Sequence, residues 1–145
     1  MIFGYNGTYA AGAHGLVEPF LTLAEVEDDP FNSFDFDFGP DEALVYLFEA
    51  PPGAAALEFS TFDAYNDNPG HDLDLYVFHC PDFACTQVGG SFNLTSNESV
   101  RVPFPVNDPD IEDPYAVFVH GYNTAGGAPA TSIFFDWTVE GPVGN

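Results

Sequence analysis

Proline and glycine interrupt this chain every few residues, which limits it to short elements of secondary structure. Thirteen Pro and fourteen Gly are spread over 145 residues. The segments between them are rich in Phe, Val, Tyr and Leu, which favours strands, and helical periodicity is weak throughout. The predicted strands are 2–9, 21–27, 33–38, 44–48, 55–62, 73–79, 85–88, 99–102, 115–121 and 133–139. The pattern therefore predicts an all-β protein.

Several of these segments alternate along the chain with the period of two that is typical of a strand with two different faces. In 73–77 the odd-numbered residues are aliphatic, and 34–38 and 115–121 also alternate. We expect Trp137 to pack in the core. Eight to ten short strands joined by polar turns predict an antiparallel β-sandwich with jelly-roll-like topology. The length suits one domain.

The charge balance excludes some partners. The sequence has 23 acidic residues, one Arg and no Lys, for a formal net charge of -22. A nucleic-acid-binding protein needs a basic surface for phosphate, and anionic membranes repel an acidic one, so neither partner is expected. No apolar run is long enough to insert into a membrane. Cationic partners, divalent metals or concentrated salt would balance the charge, or the acidic surface keeps an extracellular monomer soluble.

The two cysteines lie close together in the sequence. Cys80 and Cys85 flank a Pro-Asp turn, and a disulfide between them would close a small ring at the tip of a hairpin. A zinc site would need more thiol or imidazole ligands at suitable spacing. A disulfide implies an oxidising compartment. Because no signal peptide follows Met1, we expect a fragment of a larger secreted protein.

The sequence assigns no catalytic and no cofactor-binding residue. No Ser lies in a Gly-x-Ser-x-Gly turn, and no phosphate-binding loop or dinucleotide motif is present. His79 and His120 are expected near strand ends as packing residues rather than as acid–base catalysts. The two cysteines lack the basic neighbours that activate a thiolate. The domain itself is therefore not expected to be an enzyme.

One oxygen-rich segment, 63–74, suits a hard cation. Ca²⁺ takes about six to eight oxygen ligands in irregular geometry, although the spacing here is not that of an EF-hand. The alternative is an Asx-rich turn whose side chains bond to their own backbone. The candidate ligands of a structural Ca²⁺ site are Asp63, Asn66, Asp67, Asp72 and Asp74.

Four segments resemble those of the bacterial pre-peptidase C-terminal domain. Residues 72–77 (DLDLYV) match its DLDLY-like strand, and 97–99 (NES) match the start of its next strand. Residues 115–122 (YAVFVHGY) are similar to its Y-x-V-x-V-x-G strand, and 133–137 (IFFDW) to its closing strand. Residues 4–16 look like the stretch that precedes this domain in secreted subtilisin-like serine proteases.

The resemblance covers nearly the whole chain and is strongest over 59–139. It implies a single domain over 1–145, with strands of the preceding stretch in 1–50 and the core motifs in 55–140. The segments 66–71 and 107–114 and the cysteine ring depart from the family pattern, so no ligand-binding surface is carried over.

The resemblance implies a non-catalytic accessory domain, secreted by bacteria, of a subtilisin-like serine endopeptidase. Such a domain assists secretion, folding or stability, or binds protein substrate, and its partners would be the parent catalytic domain and that substrate. Some relatives bind Ca²⁺. The alternative is a free-standing extracellular module that binds carbohydrate or a cell surface. Its candidate aromatic residues are Tyr5, Tyr9, Tyr65 and Tyr122.

Overall fold

A computed structural model describes residues 14–16, 20–36, 41–66, 70–108, 110–124 and 130–142. Short antiparallel strands dominate this part of the chain, joined by turns and two 3₁₀ turns at Asp63–Tyr65 and Pro81–Phe83. The strands are β1 (His14–Leu16), β2 (Phe20–Val26), β3 (Ala43–Glu49), β4 (Ala56–Thr61), β5 (Asp72–His79), β6 (Thr86–Ser91), β7 (Glu98–Pro103), β8 (Pro114–Asn123) and β9 (Ala130–Pro142).

The strands form two sheets. The first sheet has the order β1-β9-β4-β7, and β2 also pairs with β9. The second sheet has the order β3-β8-β5-β6. All strand pairs are antiparallel. The prediction of an all-β fold with antiparallel sheets is confirmed, while the jelly-roll-like winding stays a prediction.

The two sheets share one hydrophobic core, to which β4 and β7 of the first sheet and β5 and β8 of the second contribute alternate residues. In β5 the aliphatic residues of 73–77 are fully buried, as the alternation predicts. They pack with residues of β8 in the same sheet and of β4 and β7 in the other. Each fully buried Val, Leu or Phe contributes about 1.5–3 kcal/mol. The central members are Leu57, Phe59, Leu73, Leu75, Val77, Val100, Val102, Tyr115, Val117 and Val119.

Most predicted strands coincide with observed ones. The predictions at 21–27, 44–48, 55–62, 73–79, 99–102, 115–121 and 133–139 fall on β2, β3, β4, β5, β7, β8 and β9. The prediction at 85–88 falls on β6, which continues to Ser91. The predicted strand 2–9 lies outside the described residues, and so does the side chain of Trp137.

The strand prediction at 33–38 is wrong over 33–36, the part of it that the structure describes. The Asp29 carboxylate accepts hydrogen bonds from the backbone N–H groups of Phe31, at 2.8 Å, and of Ser33, at 3.0 Å. These bonds shape a loop instead of a strand. Phe34 then stacks on Tyr76 with ring centroids 3.8 Å apart. Phe34 and Phe36 therefore cover aromatic residues on the outer face of the second sheet instead of forming a strand.

The predicted disulfide between Cys80 and Cys85 is present. It closes the connection from β5 to β6 around the turn at Pro81–Phe83. The backbone N–H of Cys80 also donates to the carbonyl of Pro114, at 2.9 Å. Among the described residues no helix is sufficiently long and apolar to span a membrane.

Candidate functional site

The outer face of the second sheet holds a buried polar cluster. Strand pairing places Asp74 of β5 directly opposite His120 of β8. Both residues point away from the shared core, because they alternate with the buried aliphatic residues of their strands. His120 is nevertheless fully enclosed, since the 28–36 loop lies over this face.

Two carboxylates flank the His120 imidazole. Nε2 lies 2.9 Å from Oδ2 of Asp29, and Nδ1 lies 3.8 Å from Oδ2 of Asp74. Burial by itself lowers the pKa of His120, but the hydrogen bond with Asp29 and the negative charges of Asp74 and Asp29 outweigh it, so the pKa is raised. For Asp29, burial raises the pKa. Hydrogen bonds from Phe31, His120 and Ser33 lower it by more than burial raises it, so the pKa of Asp29 is lowered overall. The arrangement favours an imidazolium between carboxylates.

This cluster fastens a loop to a sheet. The Asn32 side chain donates to the carbonyl of Tyr122, and the Asp28 carboxylate accepts from the Thr124 backbone N–H at 2.7 Å. Together with the His120–Asp29 contact, these bonds hold the loop after β2 against β8. Because the imidazole is fully buried, its role here is to hold structure. The sequence placed His120 at a strand end, whereas it lies inside β8.

His79 has a similar structural role at the other end of β5. It is hydrogen-bonded to Asp113, and its ring stacks on Tyr115 with centroids 4.7 Å apart. Asp113 also accepts a hydrogen bond from the Asp108 backbone N–H at 3.1 Å. These contacts anchor the segment before β8 to the end of β5.

The proposed calcium ligands do not all converge. The Asp63 carboxylate accepts hydrogen bonds from the Ser96 backbone and the Asn97 side chain, both at 2.7 Å. Asp74 instead contacts His120 and accepts a bond from the Tyr76 hydroxyl at 3.3 Å. Asp63 thus orders the start of the 97–99 motif, which lies more than 30 residues away in the sequence.

Asp72 and Asn66, unlike Asp63 and Asp74, each have a buried side-chain atom that lacks a hydrogen-bond partner among the described residues. These atoms are Oδ1 of Asp72 and Nδ2 of Asn66. Burial, and then the charges of Asp74 and Asp63, raise the pKa of Asp72. Asp67 lies outside the described residues. Within the described ranges no group of three or more His, Cys, Asp or Glu side chains is placed to hold a metal. The calcium site remains a prediction.

A cleft of about 200 Å³ opens beside these carboxylates. It lies between the start of β5, the loop after β6 and the end of β8. Phe92 and Leu94 are largely exposed there, at 54% and 90%. We name this feature the acidic–aromatic cleft. Its lining residues are Asp72, Asp74, Phe92, Asn93, Leu94 and Tyr122.

Three residues that line the cleft, Phe92, Asn93 and Leu94, were not predicted from the sequence. A signal was present, because two large apolar residues interrupt an otherwise polar turn, 91–97. Surface-exposed apolar groups beside polar ones often mark a binding surface. Of the four tyrosines considered for ligand binding, Tyr122 lines the cleft. Tyr5 and Tyr9 lie outside the described residues, as does the side chain of Tyr65.

Another carboxylate lies behind the cleft. Glu98 is buried, and its two oxygens accept from the backbone N–H of Asn93 at 2.8 Å and from its side-chain amide at 3.0 Å. Burial raises the pKa of Glu98, the hydrogen bonds from Ser91 and Asn93 oppose that rise, and the charge of Asp74 adds to it. Glu98 therefore positions Asn93 and adds to the negative potential behind the cleft.

Positive charge is scarce in this chain. The sequence has one Arg and no Lys, and Arg101 pairs with Glu58 at 3.2 Å, on the first sheet. Comparison with known protein families, with curated proteins and with solved structures finds no match to this chain.

Proposed function

We propose that this chain is a non-catalytic accessory domain of a secreted, bacterial subtilisin-like serine protease. It assists secretion or folding of the parent enzyme, or binds its protein substrate. One observation carries the proposal: the segments that resemble the pre-peptidase C-terminal domain pack together. Strands β5 and β8 pair from Asp72↔Asn123 to His79↔Tyr115. Strand β7, which begins in the 97–99 motif, contributes Val100 and Val102 to the same core.

One further feature supports an extracellular location, and another supports an accessory role. Disulfides persist in oxidising environments such as the bacterial periplasm and the medium, and this chain has one between Cys80 and Cys85. The histidines of the two strands pack inside the fold and hold loops in place. A domain whose polar side chains hold its own loops in place suits a non-catalytic, accessory role.

The reading frame tests the protease assignment. We expect the gene to encode a subtilisin-like catalytic domain upstream of Met1 in the same frame. A stop codon in frame directly before Met1 would contradict the proposal.

Deleting this domain from the parent enzyme tests its role. We expect unchanged kcat/KM on a short chromogenic peptide, because the catalytic domain is intact. The secreted yield, or the rate on a large protein substrate, should fall. Equal yield and equal rates on both substrates would show that the domain assists neither process.

The alternative is a free-standing module that binds carbohydrate or a cell surface. The observation that favours it is the acidic–aromatic cleft, where Phe92 and Tyr122 lie beside Asn93 and two carboxylates. Aromatic rings with a few polar groups are typical of small-molecule sites. Titration of the purified chain with soluble oligosaccharides, followed by NMR, tests it. Saturable shifts of cleft amides would favour this alternative over the protease assignment.

A further inference from the structure

The acidic–aromatic cleft combines three kinds of surface in a small volume. Its lining includes Asp72 and Asp74, which lie two residues apart on β5. It also includes the aromatic residues Phe92 and Tyr122 and the aliphatic Leu94. We infer that this cleft binds a cationic side chain, Lys or Arg, of a partner polypeptide.

The carboxylates supply the charge that such a side chain needs. Asp72 lines the cleft, and its Oδ1 has no hydrogen-bond partner among the described residues, so an N–H donor that enters the cleft and turns this carboxylate toward it would satisfy that oxygen. Asp74 also lines the cleft and is already oriented by Tyr76 and His120. A charged hydrogen bond at this position is stronger than a neutral one, because a cation meets a carboxylate that is partly removed from water.

The aromatic residues favour an organic cation. Lys and Arg bind over aromatic faces, and their aliphatic stems pack on apolar surface while the charged end stays polar. Phe92 and Leu94 offer that apolar surface, since they are 54% and 90% exposed. Ca²⁺ prefers a shell of about six to eight oxygens, which the apolar walls of the cleft do not provide.

Charge complementarity favours a basic partner over a neutral one. The chain carries a formal net charge of -22, and its one Arg is engaged by Glu58 at 3.2 Å. A surface of one sign attracts opposite charge and raises its rate of association. The cleft would then select one side chain from a basic segment. This inference does not depend on the protease assignment and stands if that assignment fails.

NMR titration of the intact chain tests the inference. The probes are Nα-acetyl-lysine methylamide, its arginine counterpart, and the neutral norleucine counterpart. We expect the cationic probes to shift the backbone amides around Asp72, Asn93 and Tyr122, and norleucine to shift none. Shifts spread evenly over the acidic surface, or equal shifts with norleucine, would overturn the inference.

Matched variants separate the cleft from general electrostatics. Asp72→Asn should weaken binding by roughly tenfold or more, because it removes a charged hydrogen bond. Tyr122→Leu should also weaken it. Asp110→Asn removes the same charge from an exposed turn outside the cleft and should leave affinity nearly unchanged. An equal loss of affinity in Asp72→Asn and Asp110→Asn would show that the probes bind by nonspecific electrostatic attraction, and would overturn the inference.

Two further titrations distinguish the nature of the ligand. A short uncharged peptide with one central Lys should bind at least as tightly as the single-residue probe, and its norleucine version should not bind. Failure of the lysine peptide would overturn the polypeptide partner. Displacement of the lysine probe by Ca²⁺ or by a soluble oligosaccharide, with saturable shifts of the same amides, would assign the cleft to that ligand instead.

Discussion

His120 lies between carboxylates that come from distant parts of the chain. Asp29 is 91 residues away in sequence, yet its Oδ2 is 2.9 Å from Nε2 of the imidazole. The raised pKa of His120 has a defined consequence for stability. Its contribution is fully present below the unfolded value of about 6.5 and is lost as the pH rises through the higher folded value. Asp29 acts in the opposite sense, and its contribution is lost as the pH falls through its lowered folded pKa.

Replacing His120 by Gln should destabilise the fold in a pH-dependent way. Removing one partner of a buried ion pair costs about 3 kcal/mol or more, because the remaining carboxylates lose their counter-charge. We expect this loss at about pH 6 and a smaller one at about pH 9, where the wild-type imidazole is closer to neutral. Urea denaturation at both values measures it. The same loss at both values would show that His120 acts through packing alone.

Calcium binding by the predicted ligand residues can be tested by its effect on the stability of the fold. If Ca²⁺ binds only the folded chain, about one hundred times its Kd should add about 2.7 kcal/mol to the unfolding free energy. Melting the protein with excess Ca²⁺ and with chelator measures this. Asp72→Asn should abolish the increment, while Asp110→Asn should retain it. An unchanged Tm for the wild type would refute the site.

At the scale of elements, the 28–36 loop acts as a cover for the second sheet. Phe34 lies against Tyr76, Phe78 and Phe118, with ring centroids 3.8, 5.9 and 5.4 Å away. The outer face of this sheet is thus apolar at its centre. The cover shields that face from water and encloses His120.

Replacing Phe34 by Ala should uncover this face. Phe34 is partly buried, so we expect a loss of about 2 kcal/mol, below the 3–5 kcal/mol of a fully buried Phe. Phe31→Ala is the matched control, because Phe31 lies in the same loop but is 83% exposed. It should change stability by less than about 0.5 kcal/mol. Equal losses for the two variants in urea denaturation would show that the stacking has no special role.

The disulfide constrains the turn between β5 and β6. A ring this short removes about 2 kcal/mol of chain entropy from the unfolded state. Reductant, or the Cys80→Ala/Cys85→Ala double variant, should therefore lower stability by about that amount. Thiol titration of the native protein should find no free thiol. Two reactive thiols would contradict the disulfide.

At the scale of the whole molecule, the net charge of -22 opposes compact folding. Like charges repel in the folded state, and salt screens them with a Debye length of about 10 Å at 0.1 M. Raising NaCl from about 10 mM to about 150 mM should raise the unfolding free energy. The same series near pH 4, where many carboxylates are protonated, should be flatter. A flat response at neutral pH would show that the charges are too dispersed to matter.

Most of the described strands, the two faces of β5 and the disulfide could be predicted from local sequence alone. Alternation within 72–78 depends on the geometry of one strand, so the buried and outer residues of β5 followed without knowledge of its neighbours. The disulfide joins two cysteines that are five residues apart, so it too could be predicted from local sequence. The prediction at 33–36 failed because the Asp29 carboxylate accepts hydrogen bonds from the backbone N–H groups of Phe31 and Ser33. These bonds shape a loop at the point where the strand was predicted to begin.

The contacts of the polar residues, in contrast, depend on how the strands and loops pack in three dimensions. The sequence placed Asp72 and Asp74 on one face but could not place His120 opposite Asp74, because that contact depends on the register between β5 and β8. The enclosing loop and the cleft around Tyr122 likewise depend on segments far apart in the chain. A periodic pattern specifies which way a side chain points within its own strand. Sheet pairing and loop packing specify what that side chain meets.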